Sequence, residues 1–100
     1  MGFQFDWDNR KHAANIRKHE VTFDEASTIF SDQFGMTIYD PAHSQAEERF
    51  IEMGLSSRGN LLVISYTERG KSVRIINART ANRAEAKRYE ENKRRKQQES

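Results

Sequence analysis

Two runs rich in β-branched and aromatic residues, Leu61 to Thr67 and Ser72 to Ala78, flank the polar stretch Glu68-Arg69-Gly70-Lys71. The pattern predicts an antiparallel hairpin, with Gly70 supplying the positive φ that such a turn calls for. Strict alternation along the second run sends Val73, Ile75 and Asn77 one way and Arg74, Ile76 and Ala78 the other. Both faces then carry apolar area, which suits an inner strand covered on both sides. Upstream, Phe3, Phe5 and Trp7 alternate with Gln4, Asp6 and Asp8, predicting a short edge or second strand with three aromatics on one face. Asp8 then caps a helix from Asn9 to about His19. Its narrow apolar stripe is Ala13, Ile16 and Ala14, and its broad basic face is Arg10, Lys11, Arg17 and Lys18.

Thr22-Phe23-Asp24-Glu25 has the form of a capping box, with the Thr22 hydroxyl accepting from the Glu25 N–H and the Glu25 side chain reaching back to the Thr22 N–H. Val21 stands where a hydrophobic staple onto Ala26 would form, and Phe23, Ala26, Ile29 and Phe30 share one helical face. The two helices make a hairpin through His19-Glu20-Val21. Met36 to Tyr39 then reads as a strand closed by Asp40-Pro41, and Ala42 to Ala46 as a polar loop. Glu47 to Gly54 is a strand that alternates Glu48, Phe50 and Glu52 against Arg49, Ile51 and Met53, and Ser56 to Asn60 turns it into the hairpin. The last segment, Ala81 to about Lys96, favours helix. Its apolar positions are little more than Ala81, Ala84, Ala86 and Tyr89, so it is expected to be weakly anchored and to fray beyond Tyr89.

The order of elements predicts an α+β domain. One hundred residues with 35% hydrophobic and 32% charged side chains build one thin core, so a single domain over 1–100, with a basic helix or tail from about 81 to 100, is expected. The net charge of +2 is too small to imply nucleic-acid binding, but its distribution is uneven. Over 83–96 seven basic residues stand against three acidic ones, net +4. With no cysteine there is no disulfide or thiolate metal site, which fits a reducing compartment. The MGFQFDWD start lacks a basic segment followed by an apolar run, so a cytoplasmic protein without membrane attachment is expected.

Candidate chemistry concentrates on cations. Arg49, Arg69, Arg74 and Arg79 fall on neighbouring strands and their turn, and guanidinium forks match phosphate oxygens two by two. The plainer alternative is a scatter of solvated charges. His19, in Lys18-His19-Glu20, is either a cation favoured at a helix C-terminus or a general acid or base beside a phosphate. Glu48 is either half of a cross-strand ion pair with Arg74 or Lys71 or a proton acceptor in an open groove. Tyr66 reads as a strand aromatic and Tyr89 as the pin of the last helix. The histidines lack metal-ligand spacing, so neither metal nor cofactor is expected. No phosphate loop, nucleophile elbow or paired-carboxylate motif is present, which leaves a basic α+β domain suited to a polyanion.

Several short motifs occur in a fixed order. They are Phe5-x-Trp7-Asp8, Lys11, Asn15, Lys18-His19, Val21-x-Phe23 and Glu25-Ala26. Glu48-Arg49-Phe50, Gly54, Leu61-Leu62-Val63 and Tyr66-Thr67-Glu68-Arg69 follow, and then Arg74-Ile75-Ile76-x-Ala78-Arg79, Ala81, Glu85 and Tyr89. Together they resemble the BrnT toxins of bacterial type II toxin-antitoxin systems, from about Phe5 to Tyr89. Asn77 departs from the serine common in the family, and the basic tail is longer. The resemblance implies a RelE-like fold, two N-terminal helices on an antiparallel sheet with a C-terminal helix. It also implies a ribonuclease that arrests translation and growth, inhibited by a BrnA-like ribbon-helix-helix antitoxin. RNA, on or off the ribosome, is then the substrate, and DNA is reached only through the antitoxin. On that basis Arg49, Arg74 and Arg79 are expected on the phosphate, with His19 and Glu48 as proton carriers and Lys18, Arg69 and Lys71 binding RNA. Ala81, Ala84 and Tyr89 are expected to meet the antitoxin. The alternative is a non-catalytic module that binds a protein or nucleic acid.

Overall fold

The computed structural model describes residues 4–43 and 47–99, so Phe3 and the 44–46 part of the polar loop lie outside the described residues. Strands β1 (Gln4–Trp7), β2 (Met36–Tyr39), β3 (Arg49–Leu55), β4 (Leu61–Arg69) and β5 (Ser72–Thr80) form one sheet in the order β1-β5-β4-β3-β2. Helices α1 (Asn9–His19), α2 (Phe23–Ser27) and α3 (Arg83–Glu99) complete the α+β fold, with 3-10 turns at Thr28–Ser31 and Pro41–His43. The expected hairpin is β4 and β5, and Gly70 takes φ 59° in its turn. The sheet is mixed rather than antiparallel, because β1 runs parallel to β5, pairing Gln4 with Ser72 through Trp7 with Ile75. β1 and β5 are far apart in sequence, so no tight turn joins them to impose antiparallel pairing.

The alternation expected along β5 fails at one residue. Tyr66 pairs with Ile75 and Ser65 with Asn77, so Ile76 is the extra residue of a bulge. The bulge reverses the phase beyond it. Ala78 therefore joins Val73 and Ile75 in the core of one face, with Val21, Phe23, Ala26, Ile29, Ile64 and Tyr66. Asn77 and Arg79 move to the face that carries Arg74. On that second face a smaller core of Met53, Val63 and the α3 residue Tyr89 gathers Phe34, Met36, Ile51 and Leu61. The turn Thr28–Ser31 sits close on β3 because position 54 is glycine: a Cβ there would lie 3.1 Å from the Ile29 carbonyl oxygen.

Asp8 caps α1 as expected, accepting from the N–H groups of Arg10 (2.8 Å) and Lys11 (3.0 Å). The apolar stripe does not bury, however: Ala13, Ala14 and Ile16 are all exposed. The inward line is His12, Asn15 and His19, three and four residues apart. Asn15, 5% exposed, donates from its amide nitrogen to the carbonyls of Val21 (2.9 Å) and Ala78 (2.8 Å) and accepts from the Ala78 N–H (3.1 Å). Since β1 ends opposite Ile75, the outer edge of β5 would be open at Ala78, and the Asn15 amide pairs with it as a neighbouring peptide would. Polar backbone, not apolar surface, is what α1 has to satisfy here.

At α2 the Thr22 hydroxyl accepts from the Glu25 N–H (3.1 Å), as the capping box requires. The Glu25 carboxylate does not turn back; it takes the Ser56 hydroxyl (2.7 Å) and the Asn60 amide (2.8 Å) and ties α2 to the β3–β4 turn.

Replacing Asn15 with Ala leaves the buried peptide groups of Ala78 and Val21 unpaired, so Asn15→Ala should lower unfolding stability by roughly 2 kcal/mol or more. Denaturant midpoints against an exposed control, Ala13→Ser, measure this; equal midpoints would show that the amide is not what closes the edge.

Candidate active site: an arginine row on the open end of the sheet

The register places Asp6, Arg74, Thr67 and Arg49 side by side across β1, β5, β4 and β3. Residues opposite one another in a ladder share a face, so the four form one row on the face that also bears α3. Since α3 keeps to the Met53, Val63 and Met36 end, the row lies on the remaining part of that face. Arg49 and Arg74 flank the middle strand, their Cα atoms two strand spacings, roughly 10 Å, apart. Both are half-buried, and their guanidinium groups start from rigid strands rather than loops.

Carboxylates hold the arginines in place. Arg74 Nη1 lies 3.2 Å from Asp6 Oδ1. At the end of β4, Arg69 makes a two-point bond to Glu47, 2.8 and 2.9 Å. That bond, with the charges of Arg74 and Arg49 beyond it, holds the Glu47 carboxyl below its ordinary range. The cross-strand pair expected for Glu48 is therefore made by Glu47, with Arg69 instead of Arg74 or Lys71. Glu48 is exposed just ahead of β3. By the pleat it belongs with Phe50, on the side away from Arg49. Exposed pairs of this kind exchange readily for another anion.

Between the two arginines Thr67 is 1% exposed, and its hydroxyl has no hydrogen-bond partner among the described residues. Beside the row, Lys11, Lys18 and His19 of α1 border a recess of about 190 Å³ whose sheet side is Ile76 and Asn77. The bulge turns Asn77, one of the residues that line this recess, to the face of Arg74. The Lys11 N–H is the main cause that holds the Asp8 carboxyl below its ordinary range, with the Arg10 N–H and the charges of Lys11 and Arg74 adding smaller contributions. The structure thus brings Arg49, Arg74 and Arg69 to one end of the sheet, with Lys71 exposed at the hairpin tip and Lys18 and His19 to the side.

Arg79 is not part of this group. It pairs with Val63 at the α3 end of β5 and forks onto Glu85, 2.8 Å at each contact. Asn82 and Glu85 make a reciprocal capping box: the Glu85 N–H donates to Asn82 (2.8 Å) and the Asn82 N–H to Glu85 (2.9 Å). The last helix is consequently well fastened, contrary to expectation. Tyr89, 2% exposed, donates to Asp32 at 2.5 Å, and Lys93 lies 5.6 Å from the centre of the Phe34 ring. It continues to Glu99, well past Tyr89. Of the residues expected to meet an antitoxin, Ala84 is exposed, Ala81 half-buried and Tyr89 buried.

Sequence reasoning missed Asp6, Glu47, Thr67 and Asn15. Glu47 was findable, because it shares strand parity with Arg49 where Glu48 does not. Asn82-x-x-Glu85 was likewise visible as a capping box.

The family model for the "Ribonuclease toxin, BrnT, of type II toxin-antitoxin system" matches residues 7–85. Among solved structures, the chain is similar to the Brucella abortus ribonuclease toxin, BrnT. The identity is 20%, the match covers 82% of this chain and 100% of that one, and the TM-score is 0.60. At that identity the likeness is one of fold. No curated protein matches the chain.

The Arg79 fork is the main cause that holds the Glu85 carboxyl down, at about 2 against an ordinary 4.5. A carboxyl depressed by folding stabilises fully above its unfolded pKa and loses that effect as pH falls through the folded one. The stability difference between wild type and Glu85→Gln should therefore be greatest at neutral pH and close between about pH 4.5 and 2. Denaturant unfolding followed by helical circular dichroism at pH 7 and pH 3 measures it.

Proposed function

The chain belongs to the BrnT family of ribonuclease toxins of type II toxin-antitoxin systems, and from that premise we propose that it cuts RNA without a metal ion at the row flanked by Arg49 and Arg74. The observation that carries the reading is that Arg49 and Arg74 rise from rigid strands on one face at either side of Thr67, with Arg74 held, among the described residues, only by the exposed carboxylate of Asp6. In the reaction the 2'-oxygen attacks the adjacent phosphorus and loses its proton to a base. Negative charge gathers on the phosphorane oxygens, and the bond to the 5'-oxygen breaks as an acid protonates it. The products are a 2',3'-cyclic phosphate and a 5'-hydroxyl. Arg49 and Arg74 stabilise the phosphorane from two sides, a task that needs fixed positive charge rather than proton exchange.

Lys18, Arg69 and Lys71 extend the positive field to either side and guide the RNA backbone. His19, on the recess beside Asn77, is the first candidate proton carrier. Glu48, the other candidate from the sequence, lies by its parity on the far side of the sheet, and Glu47 stands at the row in its place. Arg79 serves the site by fastening α3. The relation to RelE-like ribonucleases, action in the cytoplasm against translation and growth, and neutralisation by a BrnA-like ribbon-helix-helix antitoxin belong to the same proposal. The antitoxin covers the row and reaches α3 through Ala84 and Ala81; Tyr89 becomes available only where the helix is lifted. DNA is contacted through the antitoxin.

Arg49→Ala and Arg74→Ala should each reduce cleavage by about 10²–10³-fold. The assay is RNA cleavage by the purified protein with EDTA present, followed by analysis of the 3' ends, and on translating ribosomes if free RNA is resistant. Wild-type rates from both folded variants would remove the row from the chemistry. Loss of antitoxin binding together with unaltered cleavage would make the row a docking surface.

A further inference from the structure

Two buried polar atoms lack a hydrogen-bond partner among the described residues, His12 Nε2 and Thr67 Oγ1. Their surroundings differ. The His12 ring stacks on Phe23, with centroids 4.9 Å apart, and meets Trp7 edge-on, so it is packed as an aromatic. Thr67 lies on β4 with Arg49 opposite on one side and Arg74 on the other. Its neighbours two residues along the same strand are Ser65 and Arg69, which face the same way.

A buried hydroxyl without a partner destabilises the protein relative to a methyl group of the same shape, and valine would suit an inner strand at least as well. The group is therefore kept at a loss in the unliganded protein. It stands where an anion bridging Arg49 and Arg74 would rest, at the middle of the row. We propose that the Thr67 hydroxyl is a further ligand of the scissile phosphate, donating a hydrogen bond to a non-bridging oxygen between the two guanidinium groups.

The inference rests on the RNA-cleaving reading of the row. Arg74 is turned toward Asp6 and Arg69 toward Glu47. An arriving phosphate competes with those carboxylates and draws the guanidinium groups toward the middle of the row. Thr67 gains its missing partner in the same movement. Because β-branching restricts its χ1 and the strand is internal, the donor is already oriented before the phosphate arrives. A hydrogen bond to a developing phosphorane charge is stronger than one to a neutral acceptor, so the effect falls mainly on kcat.

The test compares Thr67→Val and Thr67→Ser with wild type, using an RNA that the wild type cleaves, with Arg49→Ala and Arg74→Ala in the same assay. Thr67→Val should unfold at a higher denaturant concentration than wild type and yet lose kcat by roughly 10–100-fold, with KM little changed. Thr67→Ser should return most of the rate. A wild-type rate in Thr67→Val alongside inactive arginine variants would overturn the proposal while leaving the row intact. Parallel loss of stability and rate in Thr67→Val, without recovery in Thr67→Ser, would overturn it as a packing effect. Full activity in both arginine variants would bring down the row and this inference together.

Discussion

The candidate site depends on one side-chain amide. Asn15 joins the α1 helix to the β5 edge and to the α1–α2 connection by bonding both peptide groups of Ala78 and the carbonyl of Val21. A four-residue β1 covers only the first half of β5. Without Asn15 the second half would present an open edge, where a buried helix cannot satisfy peptide groups by apolar contact. With it, α1 is fixed at a height that sets Lys11, Lys18 and His19 beside Asn77. The basic face of a helix with little apolar anchorage thus becomes a wall of the recess beside Asn77.

The second constraint is the bulge at Ile76. It turns Ala78 inward to complete one core and brings Asn77 and Arg79 to the side of Arg74. That face then divides by polarity. At one end Met53, Val63 and Tyr89 hold α3, fastened further by Arg79, Glu85 and Asp32. At the other end stand Arg49, Thr67 and Arg74. Fixed positive charge next to a packed apolar patch suits a ligand whose charge must be held in one place, as a phosphate undergoing in-line displacement must be.

The hairpin, the helix starts at Asp8 and Thr22 and the positive φ at Gly70 were legible because they are local. Caps, turns and alternating runs report on neighbours within a few residues. The helix α1 shows where locality stops: its three apolar side chains suggested a buried stripe, yet the inward residue is a polar one chosen by a peptide group 63 positions away. Arg79 shows the same limit, since nothing in its immediate sequence separates a phosphate ligand from a helix clamp.

By itself the sequence determined an α+β order of elements, a basic C-terminal helix and a concentration of arginines on the central hairpin and its neighbour, together with motifs that resemble one toxin family. Tertiary structure decided that β1 runs parallel, that the alternation of β5 breaks at Ile76, that Glu47 rather than Glu48 meets Arg69, and that the Thr67 hydroxyl, between Arg49 and Arg74, finds no partner among the described residues. The physical reason is that periodicity along the chain specifies which side chains share a face only while the register is unbroken. Which polar groups then meet across that face is settled by strand pairing and by the need to satisfy every buried peptide group.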